Sequence, residues 1–117
     1  MRAFINSFLY AWAGIRTGAR GRNFRVMLAV AVVTVGLGAW QGLAAWEWAA
    51  VFVCCGLVLG LELVNSAGEA LVDALAPGQD PRYGRVKDLL AGASLVAAVF
   101  SAAVGVVIFW PRLSGLF

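Results

Sequence analysis

The sequence predicts an all-α membrane protein, with three transmembrane helices and an N-terminal amphipathic surface helix in one domain spanning residues 1–117. Three observations predict it. Hydrophobic residues make up 62% of the chain and charged ones 13%, far from the composition of a water-soluble domain. Two runs, Val26–Ala45 and Leu89–Trp110, are uncharged and match the roughly 20 residues a helix needs to cross a bilayer. A third run starts near Trp48 and carries acids only in its second half.

The surface helix is expected over about residues 3–20, where Phe4, Ile5, Phe8, Leu9, Trp12 and Ile15 recur at helical spacing opposite Asn6, Ser7, Arg16, Thr17 and Arg20. Such a helix lies on a membrane surface or packs its apolar face on protein. The aromatics and arginines are spread along Met1–Arg25, unlike a basic start followed by an apolar core, so a cleaved leader is not expected. The spans are expected at about 24–45, 47–75 and 85–110, the last closed by Pro111, which cannot continue a helix interior. Between the second and third, Ala76-Pro77-Gly78-Gln79-Asp80-Pro81 is turn-forming.

Net charge is +3, and its placement sets the topology. Arg16, Arg20, Arg22 and Arg25 precede the first span and Arg82, Arg85 and Lys87 follow the second, whereas the segment joining the first two has neither Lys nor Arg. The positive-inside rule then puts the N-terminus and second loop in the cytoplasm and the C-terminus outside. Positive charge used this way argues against nucleic acid as a partner. Trp40, Trp46, Trp48 and Trp110 fall at the outer boundary as headgroup anchors. Ala91, Gly92, Ala93, Ser94, Ala97, Ala98, Ser101 and Gly105 are small enough for close helix packing in the third span. Cys54 and Cys55, adjacent in an apolar run, read as packing residues.

Function is written in the second span. Only 14 uncharged residues run from Trp48 to Leu61, too few to cross, so the helix continues past Glu62 within the membrane. Glu62, Asn65, Glu69 and Asp73 then share one face. A carboxylate at membrane depth costs about 2.5–3.5 kcal/mol on insertion scales, so such a stripe marks a functional site unless it bonds neighbouring helices or reaches the headgroups. Arg82, Arg85 and Lys87 come soon after. Acids for a metal and bases for phosphate are what phosphoryl transfer needs, since its catalysis is positioning and charge neutralisation. Neither a P-loop nor a protein-kinase signature occurs in the sequence. An ion pathway along the stripe is disfavoured, because the stripe stops midway through the span.

The run Glu62-Leu63-Val64-Asn65-Ser66-Ala67-Gly68-Glu69-Ala70-Leu71-Val72-Asp73, followed by Gly84-Arg85-Val86-Lys87-Asp88-Leu89-Leu90-Ala91-Gly92-Ala93, resembles the signature of prokaryotic diacylglycerol and undecaprenol kinases. Tyr10-Ala11-Trp12-Ala13-Gly14-Ile15-Arg16 and Arg22-Asn23-Phe24-Arg25 are similar to the N-terminal region of that family. The resemblance implies a homotrimeric bundle in the bacterial inner membrane that moves the γ-phosphoryl group of ATP, with Mg2+, onto a membrane lipid alcohol. It implies Glu62 as the base, Glu69 as a metal ligand, and Asn65, Lys87, Asp88, Tyr10 and Arg85 as nucleotide- or phosphate-binding residues, with Asp73 and Arg16 in support. For Lys87 an ion pair with Asp73 is the alternative. Trp46-Glu47-Trp48 and Arg22-Asn23-Phe24 look more like the undecaprenol-kinase branch. Gly21 stands where the family usually has a second metal-binding Glu, and Gly68 where it usually has Ile. The first departure raises an alternative function, a catalytically weak or silent relative that binds lipid or nucleotide.

Overall fold

The computed structural model describes residues 1–115, and every regular element among them is a helix: α1 Arg2–Gly18, α2 Arg22–Gln41, α3 Ala45–Leu75 and α4 Pro81–Ser114. The last three are long and apolar enough to cross a membrane. α3 and α4, with 31 and 34 residues, extend about 46 and 51 Å at 1.5 Å per residue, well beyond a hydrocarbon core of about 30 Å. Each therefore carries a segment that projects past the bilayer.

Local chemistry sets the breaks. α1 stops at Gly18, and the Arg25 guanidinium folds back to donate to the Ala19 carbonyl at 2.8 Å, closing the turn into α2. α2 ends at Gln41, earlier than the expected 45, because Gly42 takes a left-handed conformation (φ 71°) and its N–H caps the Gly38 carbonyl. At the start of α3 the Glu47 carboxylate accepts from the Ala44 N–H at 2.9 Å, satisfying a backbone donor at the helix start. Asp80 caps α4 by accepting from the Arg82 N–H at 2.9 Å, with Pro81 at the first helical position, where its missing N–H costs nothing. Helix α4 thus starts before the expected 85.

Pro111 does not end the last helix as its chemistry suggested; α4 runs through it to Ser114. Two contacts hold this final turn: the Arg112 guanidinium donates to the Ile108 carbonyl at 2.9 Å and to both oxygens of Glu47 on α3. A proline so near a helix end forfeits little of the hydrogen-bond ladder, and the tertiary ion pair secures the last few residues of the helix.

Helices α3 and α4 form the principal interface and pack antiparallel. Four pairs mark their register from one end to the other: Glu47–Arg112, Glu62–Ser94, Gly68–Leu90 and Asp73–Lys87. At Gly68 the approach is so close that a Cβ would overlap the Leu90 side chain. Leu43, Val51, Ile108 and Phe109 form a buried cluster at the Arg112 end, covered by Val35, Leu37 and Trp48. α2 lies against α3, with Gly38 letting Leu43 and Trp48 pack within about 3 Å of where its Cβ would be. α1 touches α3 more sparingly, Gly18 seating the Leu63 side chain.

Of the small residues expected to draw helices together, Ser94 is buried, but among the described residues nothing lies within 4 Å of where a Cβ at Gly92 or Gly105 would be, and Ala91 and Ala93 are exposed. Within one copy the third span therefore uses only part of its small-residue surface. Large apolar side chains such as Leu57, Val64, Leu71, Leu95, Val99 and Phe100 face outward, an exposure that water would penalise and lipid does not. Trp40, Trp46 and Trp110 are exposed together at the Arg112 end, as a headgroup belt requires.

Candidate active site

The acidic stripe lies on the half of α3 away from that tryptophan belt. Counted from Ala45 at 1.5 Å per residue, Glu62 is about 26 Å along the helix, Glu69 about 36 Å and Asp73 about 42 Å. With Ala45 set at one edge of a hydrocarbon layer about 30 Å thick, Glu62 would fall just inside the far edge, and Glu69 and Asp73 beyond it. Burial follows the same gradient. Glu62 and Asn65 are 5% and 6% exposed, whereas Glu69 and Asp73 are open.

Each polar group along the stripe has a distinct bonding state. Glu62 Oε2 accepts from the Ser94 hydroxyl at 3.0 Å across the α3–α4 interface, and among the described residues Oε1 accepts from none. Asn65 Nδ2 donates to Glu69 Oε1 at 3.4 Å, a long and weak bond. Asn65 Oδ1 is buried without a partner among the described residues, an acceptor left ready for a donor that one copy of the chain does not supply. Asp73 pairs with Lys87 at 2.5 Å, and Glu69 adds its field at the same ammonium. The Asp73–Lys87 pair is substantially exposed, so it is weakly held and open to exchange for a more highly charged anion.

Glu62, Asn65, Glu69, Asp73 and Lys87 are thus brought to one end of the α3–α4 pair. Arg85 and Asp88 share that end of α4, exposed and without an ion pair among the described residues. The Gly18–Leu63 contact brings the end of α1, and with it Arg16, to the level of Glu62, but the Arg16 side chain is exposed and makes no hydrogen bond to the stripe. Tyr10, two turns further along α1, is 75% exposed and makes no hydrogen bond to the stripe among the described residues. Ser94 is the residue that sequence reasoning passed over, reading it as one of several small packing residues. Its signal was the chemistry of a hydroxyl in an apolar span, which must find an acceptor.

The donor set suits magnesium only in part. Among the described residues no three Asp, Glu, Cys or His side chains cluster around a point, and Gly21 supplies no carboxylate. Magnesium, however, is usually held by one or two carboxylates together with substrate phosphates and water. The Glu69 carboxylate beside the unpartnered Asn65 Oδ1, which can accept from a metal-bound water, fits an ion that arrives with a nucleotide and not an all-protein cage.

Residues 9–109 match the family model described as prokaryotic diacylglycerol kinase. The chain belongs to that family. It is 37% identical over 114 residues to the undecaprenol kinase of Bacillus subtilis (strain 168), an alignment covering 97% of this chain and 93% of the relative. Similarity extends to the diacylglycerol kinase of Synechocystis sp., 35% identical over 112 residues, which cover 94% of this chain and 64% of that protein. The diacylglycerol kinase of Escherichia coli (strain K12) is 28% identical over 107 residues, 88% and 85% of the two chains. Family membership and three apolar helices together make this chain a membrane lipid kinase of the prokaryotic diacylglycerol kinase family.

Proposed function

We propose that the chain transfers the γ-phosphoryl group of ATP to the hydroxyl of a membrane lipid alcohol, with undecaprenol favoured over diacylglycerol. The observation that carries this reading is the burial gradient along α3: a buried carboxylate at Glu62, then exposed acids and a lysine toward the end of the helix. A lipid alcohol delivers its hydroxyl to the first level and a nucleotide its phosphates to the second.

In the proposed reaction Glu62 Oε1 accepts the hydroxyl proton as the lipid oxygen bonds to the γ-phosphorus. The bond from that phosphorus to the bridging oxygen breaks, and ADP leaves with its electron pair. Lys87, released from Asp73, holds phosphate oxygens by charge, and Asp88, Arg85 and Tyr10 hold the nucleotide. Asn65 orients Glu69, the ligand proposed for Mg2+, which neutralises charge on the phosphates when bound. Asp73 and Arg16 support the phosphate end. Tyr10 and Arg16 reach a nucleotide only if it spans the space between α1 and α4, or if they serve a neighbouring copy in the homotrimer proposed here. The N-terminus and this site face the cytoplasm, where ATP is, and the C-terminus lies outside.

The favoured acceptor follows the greater likeness to an undecaprenol kinase and the Trp46-Glu47-Trp48 run. Purified protein in lipid, given labelled ATP and each alcohol in turn, is expected to label undecaprenol faster. Label in diacylglycerol alone reverses the preference, and label in neither, with the fold intact, defeats the kinase reading. Gly21 favours a second reading, a silent relative that binds lipid or nucleotide. Gly21→Glu raises magnesium affinity and rate in a weakened kinase; the silent relative predicts neither response, and no ATP binding.

A further inference from the structure

We infer that Ser94 is a positioning residue for Glu62, one that aims a single carboxylate oxygen at the acceptor hydroxyl; this rests on the proposed role of Glu62. A hydroxyl inside a helix can donate to the carbonyl four residues earlier. Three others in this chain do so: Ser7 to Ala3 at 3.0 Å, Thr17 to Ala13 at 2.9 Å and Thr34 to Val30 at 2.7 Å. Ser94 does not. Its one O–H reaches across to Glu62 Oε2 at 3.0 Å, with both side chains buried at 6% and 5% exposure.

That choice has two consequences. The bond fixes the carboxylate's rotation about its final torsion, which is otherwise broad. It also engages Oε2 and leaves Oε1 as the oxygen free to take a proton. One turn along α4 from Ser94, the Leu90 side chain occupies the space a Cβ at Gly68 would take. A larger residue at 68 must displace the Leu90 side chain.

The test uses the full chain in lipid, comparing wild type with Ser94→Ala and Ser94→Thr. Misplacement of a reacting group by about 1 Å costs up to about a hundredfold in rate, so Ser94→Ala is expected to lower kcat roughly ten- to hundredfold. The KM for ATP stays unchanged, because the nucleotide groups lie elsewhere, and Ser94→Thr, which keeps the hydroxyl, recovers most of the loss. A second measurement needs no turnover: in 13C-glutamate-labelled protein, the infrared carboxylate band lost in Glu62→Gln shifts in Ser94→Ala and returns in Ser94→Thr. Wild-type kcat in Ser94→Ala, or a Glu62 band that does not move, overturns the inference. So does a loss that Thr fails to rescue and that raises the KM for ATP, the pattern of general disruption. If wild type phosphorylates no lipid alcohol, the kinase reading fails by itself, and the infrared band alone decides whether Ser94 positions Glu62.

Discussion

The two ends of the α3–α4 pair are built on opposite terms. At one end Glu47, 4% exposed, accepts two bonds from the Arg112 guanidinium at 2.5 and 2.6 Å, caps its own helix, and sits beside Leu43, Val51, Ile108 and Phe109. Glu47 and Arg112 satisfy each other there in a bidentate geometry, the stiffest that two side chains offer, while Gln41 Oε1 at the end of α2 is buried without a partner among the described residues. At the other end the polar groups are held more loosely. Glu69 holds one long bond, Asn65 Oδ1 has none among the described residues, and Asp73–Lys87 is a single exposed pair. The closed end holds the helices together, and the open end keeps polar groups under-bonded for a charged ligand.

Four experiments test the difference between the two ends. Largest is the effect of Glu62→Gln, expected to lower turnover by about 10²- to 10⁴-fold, the usual worth of a general base. Glutamine still offers an acceptor to Ser94, so circular dichroism and thermal unfolding should stay those of wild type; an unchanged rate removes Glu62 from the role of base. Next comes Arg112→Ala, which strands a buried carboxylate. It should lower the thermal midpoint far more than Lys87→Ala at the open end, while Lys87→Ala should harm ATP use more; equal thermal losses would erase the distinction between the ends. Gly68→Ile then overpacks the interface against Leu90 and is expected to cost about 1–3 kcal/mol of stability, with a parallel fall in kcat. Urea titration in mild detergent reads the first effect and steady-state kinetics the second.

The smallest effect concerns the loop before α4. The Arg82 side chain and backbone N–H hold the Asp80 carboxyl below the usual carboxylate range. A depressed folded-state value means that this contribution is full above the unfolded value near 4 and is lost as pH falls through the lower folded one. Asp80→Asn should therefore remove a slight acid-side dependence of unfolding below about pH 4 and leave neutral-pH activity unchanged, and a pH series of thermal melts reads it.

The linear order of the side chains determined the class of this protein almost completely. Uncharged runs of bilayer length need no partner to declare themselves, because lipid demands backbone bonds made within the segment, and a helix makes them locally. The polar face from Glu62 to Asp73 was legible for the same reason, since helical periodicity alone aligns it. Only the tertiary structure decided which polar groups are satisfied and by whom. Arg112 carries α4 through Pro111 by reaching Glu47, and Ser94 leaves its own backbone for Glu62. Both contacts join residues distant along the chain, and nothing in local spacing marks them, because they exist only where two helices meet in one particular register.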